Sequence, residues 1–404
     1  MATDSGSLLV TGIGELTTND GASTPAEGVT AALVVVAGSV AWVGPETELA
    51  AEHRDLPAID AGGGAVLPGF VDAHTHVVFA GDRGDEFARR LRGDTYEAIL
   101  AAGGGIRATV RATRRADSEE LEASAAGRLR HMLAAGTTTV EVKSGYGLDL
   151  ATEVRMLEAV HALDAALPID LVPTFLGAHV VPAEYDGRRS DYVALVAGEM
   201  MRAAAPLAEF CDVFCDDAAF SVDEARAIAA AAAGAGLRLR LHTEQLSHSG
   251  GAALAAELGA ASADHLDHAT DDDLAALAAA GTAAVLLPAV SFSLRLPYPD
   301  GRRIWDSGVT VALGTDCNPG SAFVETMPFV IALATQACGL LPEEAVWAAT
   351  RGSALSLGAD DRGRLAPGSA GDLVILDAPS RTHLSYRPDG NLVASVVKSG
   401  VVVA

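Results

Sequence analysis

The chain is short of cysteine, of aromatic side chains and of positive charge. Four cysteines (Cys211, Cys215, Cys317, Cys338) in 404 residues are too few for a disulfide framework, which points to a reducing compartment. Cys211 and Cys215 share the run CDVFC, but no second cysteine pair completes a zinc knuckle. They read as small buried hydrophobes. Against 28 Lys and Arg stand 53 Asp and Glu, a net charge of −25. That balance argues against nucleic acid or an anionic membrane as partner, because phosphate backbones demand clustered cations. No run of 18 or more apolar residues occurs, so no membrane span is expected. The opening MATDSGSLLVTG has neither the basic nor the apolar region of a signal peptide. A soluble, cytoplasmic protein is the expectation. Gly62–Gly64 lacks a following GK[ST], and no GxGxxG follows a first strand, so nothing supports a nucleotide-binding loop.

What is present is a globular composition, 50% apolar and 20% charged. Residues 1–66 read as short strands punctuated by Gly and Asn-Asp. Residues 362–404 return to that style in GDLVILDAP and NLVASVVKSGVVVA. The two ends are expected to form one small β-sandwich domain. Between them, residues 67–361 alternate short apolar runs with Ala-rich amphipathic stretches. Eight strand candidates lie at 69–76, 137–145, 170–179, 211–220, 237–245, 262–268, 282–289 and 310–316. Helical stretches such as SEELEASAAGRLRHMLAAG, SVDEARAIAAAAAGAG and TDDDLAALAAAG fall between them, several with Ser or Thr before and Gly after. Eight β/α units in about 300 residues predict an α/β fold of the (β/α)8 TIM-barrel type.

The polar residues gather at the C-terminal ends of these strands, which in such a barrel face one mouth. Strand 1 ends in His74-Thr75-His76, strand 3 in His179, strand 5 in His242, strand 6 in Asp264-His265 and strand 8 in Asp316. Residues i and i+2 share a face of a strand, so His74 and His76 can grip one ion. His242 and Asp316 complete a His3Asp set suited to Zn2+ or Fe2+.

PGFVDAHTH and ALGTDCNPG resemble the signature segments of the amidohydrolase superfamily, as does the flanking small β-domain. HTHVVFAGDRGDEFARRLRGDTYEAIL, TTTVEVKSGYGLD, TFLGAHVVPAEY and HTEQLSHSGG are similar to one branch of it, whose members open the ring of an imidazolone in histidine degradation. The resemblance implies water attack on the ring C–N bond of 4-imidazolone-5-propanoate, giving N-formimidoyl-L-glutamate. Binuclear members carry a carboxylated lysine on strand 4, where this chain has none; one divalent metal per chain is therefore expected, with Lys143 structural. Metal ligands would be His74, His76, His242 and Asp316. Asp316 would also carry the proton, and His265 would donate to the oxyanion. Arg83 would hold the propionate tail; its plain alternative is a surface pair with Asp82 or Asp85. Tyr146, His179, Gln245, Asn318, Gly320 and Ser321 would complete the substrate site. Glu244 or Gln245 could face the substrate; the preferred reading puts Gln245 there. Gly103–Gly105 reads as a loop near the mouth. Deaminases of the superfamily share the metal set and are the competing enzyme reading, a catalytically dead scaffold the third. A homodimer is a weak expectation.

Overall fold

The computed structural model describes residues 6–20, 30–95, 98–99, 102–217 and 219–404. Eight parallel strands form its centre: Phe70–Asp72, Thr137–Lys143, Asp170–Ala178, Phe210–Cys215, Arg238–Thr243, Ser262–His265, Ala283–Leu286 and Val311–Leu313. Each pairs with its sequence neighbour. The ring closes between first and eighth: Ala73 N–H donates to Leu313 O (3.2 Å), Asp316 N–H to His74 O (3.0 Å) and His76 N–H to Cys317 O (3.1 Å). Seven of the eight lie within the spans expected from sequence, and the fourth begins one residue earlier, at Phe210; the polar residues sit at or just past their C-terminal ends. These strands are almost wholly buried because helices cover their outer faces.

The local chemistry of the helices follows the expected start and stop signals. Ser221 caps the helix Val222–Gly234 in a reciprocal box with Glu224. Thr270 does the same for Asp271–Ala280 with Asp273, and Gly281 ends that helix in the left-handed region (φ 73°). Among the described residues no helix is long and apolar enough to cross a membrane.

The termini build two further sheets. One has the strands Ser39–Pro45, Ala31–Val36, Leu8–Ile13 and Ala58–Asp60, in that spatial order. The other orders Val401–Val402, Val393–Lys398, Leu373–Leu376, Ala65–Pro68 and Glu15–Leu16. The second sheet joins both chain ends. The two share one apolar core, with Leu8, Val10 and Leu33 of the first against Val66, Leu373 and Val397 of the second. Ala65–Pro68 leads directly into the first barrel strand, so the small sheets anchor the segment that carries His74 and His76.

Candidate active site

The site is built where the strands run out. Thr75 is turned away from the mouth: its N–H donates to Glu141 Oε2 (3.2 Å) and its hydroxyl to Glu141 O (2.7 Å). That pins the residue between the two histidines and leaves both imidazoles on the inner side. His242 arrives from the fifth strand and Asp316 follows the eighth. His242 Nε2 lies 3.3 Å from His76 Nε2. Asp316 Oδ1 lies 3.4 Å from His76 Nε2 and 3.6 Å from His74 Nε2. Ligand atoms of His74, His76 and His242 all fall within 4.8 Å of one another.

These separations match the edges of a coordination polyhedron with ligand distances of about 2.0–2.2 Å. The hydrogen bonding agrees. His74 Nδ1–H donates to Asp264 Oδ2 (2.6 Å), and His242 Nδ1–H donates to Asp212 Oδ1 (3.0 Å). Each carboxylate fixes the tautomer that leaves Nε2 as a lone-pair donor. The buried Nε2 of His74 has no hydrogen-bond partner, which is costly unless a cation takes its lone pair. Burial, then the Lys143 charge, holds His74 well below the usual histidine range; burial and His179 do the same for His76. Neutral imidazoles are what a divalent ion requires. The donor set therefore fits one divalent cation.

Beneath this cluster runs a buried ionic layer. Lys143 Nζ lies 2.7 Å from Asp212 and 2.9 Å from Glu141, and Arg240 lies 3.3 Å from Asp264. Burial works to raise the Asp212 carboxyl, but His242 and Lys143 outweigh it and hold it well below the ordinary range. Lys143 is thus committed to the carboxylates that orient the histidines, on the second strand.

Glu244 (52°), His265 (80°) and Asp316 (49°), at the mouth, adopt positive φ without being glycine. Such backbone costs energy and is found where geometry at a site demands it. Burial pushes the Asp316 carboxyl up to about 7. His265 is buried with an unpartnered Nδ1 and is kept neutral by burial and by His242.

A cavity of about 340 Å³ opens above the cluster, and His76, His242, His265 and Asp316 form its floor. Arg83, Tyr146, His179, Gln245, Asn318, Gly320 and Ser321 line it too. His179 Nδ1–H donates to Gly145 O (2.9 Å), and its ring stacks on His76 at 5.1 Å. Burial lowers its pKa to about 3. Gln245 faces the cavity. Glu244 turns the other way, taking N–H donors from Ser249, Gly250 and Ala252 at the start of the next helix. Arg83 is paired with neither Asp82 nor Asp85; its Nε and one terminal nitrogen sit 2.9 and 2.8 Å from Glu86 Oε2. The Asn318 amide is engaged inside its own loop. Its oxygen accepts from Gly320 N–H and Ser321 N–H (2.8 Å each), and its nitrogen donates to Asp316 O and Ser321 Oγ. Gly320 abuts the Arg83 guanidinium so closely that a Cβ there would collide with it. Gly105 of the Gly103–Gly105 run donates its N–H to Glu86 (2.7 Å).

Sequence reasoning passed over Glu86 and Arg90, which also line the cavity. The signal was the spacing 83, 86, 90, one face of the helix Gly84–Leu91. It also passed over Asp212, which lies between Cys211 and Cys215 in the CDVFC run.

The amidohydrolase family model matches residues 65–403. The imidazolonepropionase of Salinispora arenicola is 53% identical over 399 residues, 98% of each chain. That of Mycolicibacterium smegmatis is 50% identical over 399 residues, covering 98% of this chain and 97% of its own. Among solved structures, 5-methylcytosine deaminase from Klebsiella pneumoniae liganded with 5-fluorocytosine aligns with a TM-score of 0.76 at 18% identity, over 98% of this chain and 97% of that one. A triazine hydrolase variant aligns with 0.76 at 19% identity, over 98% and 94%. At such identities these two structures speak for the fold alone. The chain belongs to the amidohydrolase family and, within it, to the imidazolonepropionases.

Proposed function

We propose that the barrel mouth hydrolyses the ring C–N bond of 4-imidazolone-5-propanoate to N-formimidoyl-L-glutamate, with the residue roles that follow. The observation that carries this reading is the convergence of three neutral imidazoles and Asp316 beneath a cavity lined by arginine. His74, His76, His242 and Asp316 would hold one Zn2+ or Fe2+. Such an ion brings the pKa of water toward neutrality and polarises a carbonyl. Asp316 takes the proton of the attacking water at its carboxylate and delivers it to the leaving ring nitrogen. His265 donates an N–H to the oxygen that gains charge as the carbonyl is attacked. Arg83 attracts the propionate tail. Tyr146, His179 and Gln245 orient the ring, while Asn318 shapes the loop that brings Gly320 and Ser321 to the substrate. The C–N bond breaks, the carbonyl carbon keeps the water oxygen as a carboxylate, and the nitrogen leaves as part of a formimidoyl group.

We assign this chemistry to residues 67–361 and a bracing role to 1–66 and 362–404. We also assign the protein to the cytoplasm and expect a homodimer, which sedimentation would reveal. Steady-state kinetics of His265→Asn test the oxyanion role. A fall in kcat of about 10²–10³ with KM little changed is expected. An unaltered kcat would remove His265 from the chemistry.

A further inference from the structure

Arg83 is the obvious cation for a propionate tail, yet its charge is already answered. Nε and one terminal nitrogen both lie on Glu86 Oε2. Glu86 is fixed in turn, since its other oxygen accepts the Gly105 N–H. The remaining side of the Arg83 fork is pressed against Gly320. This pair is close to neutral as seen from the cavity.

Arg90 stands in the opposite condition. It lies seven residues after Arg83 on the same helical face and lines the same cavity. It also lines an adjoining space of about 350 Å³ bounded by Arg83, Gly320 and Ser321. Its guanidinium has no hydrogen-bond or ion-pair partner among the described residues; its one described contact is the Phe87 ring, 5.7 Å away. Burial, then the charge of Arg83, lowers its pKa, and Glu86 opposes them only in part. Among the described residues, this wall of the main cavity carries two arginines and one glutamate, one positive charge in excess; Asp82 lines only the adjoining space. A single carboxylate balances it.

We propose that Arg90 is a specificity-determining residue that binds the substrate's tail carboxylate and sets the preference for a charged tail over a neutral one. The assignment rests on the reading of the site given above. In the bound state the carboxylate takes the free edge of Arg90, and Glu86 keeps Arg83 in place beside it. Arginine suits this role because its planar fork presents two parallel N–H donors to one carboxylate.

Calorimetric titration of the metal-loaded protein with imidazole-4-propanoate and imidazole-4-propanamide tests this without turnover. The two probes share ring and length and differ in tail charge. Wild type should prefer the propanoate. Arg90→Gln should cut that preference by about tenfold or more, with propanamide affinity nearly unchanged, and Arg90→Lys should keep part of it. Equal weakening of both probes by Arg90→Gln, or an intact preference, would overturn the assignment. Turnover of 4-imidazolone-5-propanoate by wild type is followed in parallel. If wild type turns it over while Arg90→Gln keeps the preference, only the Arg90 assignment falls. If wild type does not turn it over, the site reading falls and the assignment with it.

Discussion

A single side chain at the barrel mouth often answers to several neighbours at once. Asp316 faces His74 and His76, sits on a left-handed backbone and has its carboxyl raised by burial. Asp267, just past His265, shows the same burial effect away from the metal set: its carboxyl is pushed up to about 7 from 3.8. The native state therefore binds more protons than the unfolded chain between those two values. Stability must fall as pH rises through that window and level off above it. Asp267→Asn should then exceed wild type by about 1–2 kcal/mol at about pH 8 and by much less at about pH 5. Urea unfolding at both pH values measures it. A stability difference that is the same at both would refute it. Residue identity at this scale was legible where spacing carried it. The i, i+2 histidines and the strand-end Asp316 could be read directly from sequence. For Glu244 and Gln245 the sequence leaves both open and favours Gln245 at the cavity, where it lies; the strand alternation that would turn Glu244 inward fails because its backbone is left-handed.

At the scale of elements, the loop after the second strand shows how a binding surface is held rigid. Glu153, buried in the helix Leu150–Ala166, accepts the N–H groups of Gly145 (2.9 Å), Gly147 and Leu148 (2.8 Å each). Arg114 closes the other side by donating to Gly147 O (2.6 Å) and Leu148 O (3.1 Å). Tyr146 sits between these anchors and packs near His76 (5.7 Å) and His179 (5.4 Å). Glu153→Gln puts an NH2 donor where N–H groups now point. It should cost about 1–3 kcal/mol of stability and raise KM more than it lowers kcat. A variant with unchanged melting temperature and KM would show that the loop holds its shape without Glu153. The strands and Ala-rich helices were visible as alternation of apolar runs with amphipathic stretches. The helix Gly84–Leu91 was not, since it is short, buries no residue fully and leaves its Phe87 and Leu91 exposed.

The whole molecule has a net charge of −25 yet concentrates cations where they are needed. Lys143 and Arg240 lie fully buried among Glu141, Asp212 and Asp264, tying the second, fourth, fifth and sixth strands together under the metal ligands. Composition hid this layer, because its members are far apart in sequence and meet only when the barrel closes. Removing one partner of a buried ion pair strands the other. Lys143→Met should lose about 3–5 kcal/mol and bind metal more weakly, because Asp212 and Asp264 would no longer hold His242 and His74 in their tautomers. Chemical unfolding and metal release to a chelator report the two effects. Unfolding and release both like wild type would mean the layer is dispensable.

The central claim is that Asp316 and the three histidines open the ring of 4-imidazolone-5-propanoate. The most direct test follows loss of the substrate's ultraviolet absorption with metal-replete wild type and Asp316→Asn, the metal content of each being measured. The account predicts rapid loss with wild type, at least about 10³-fold slower loss with the variant, and N-formimidoyl-L-glutamate as product. Loss no faster than the spontaneous rate, in wild type shown to hold one metal per chain, would contradict it.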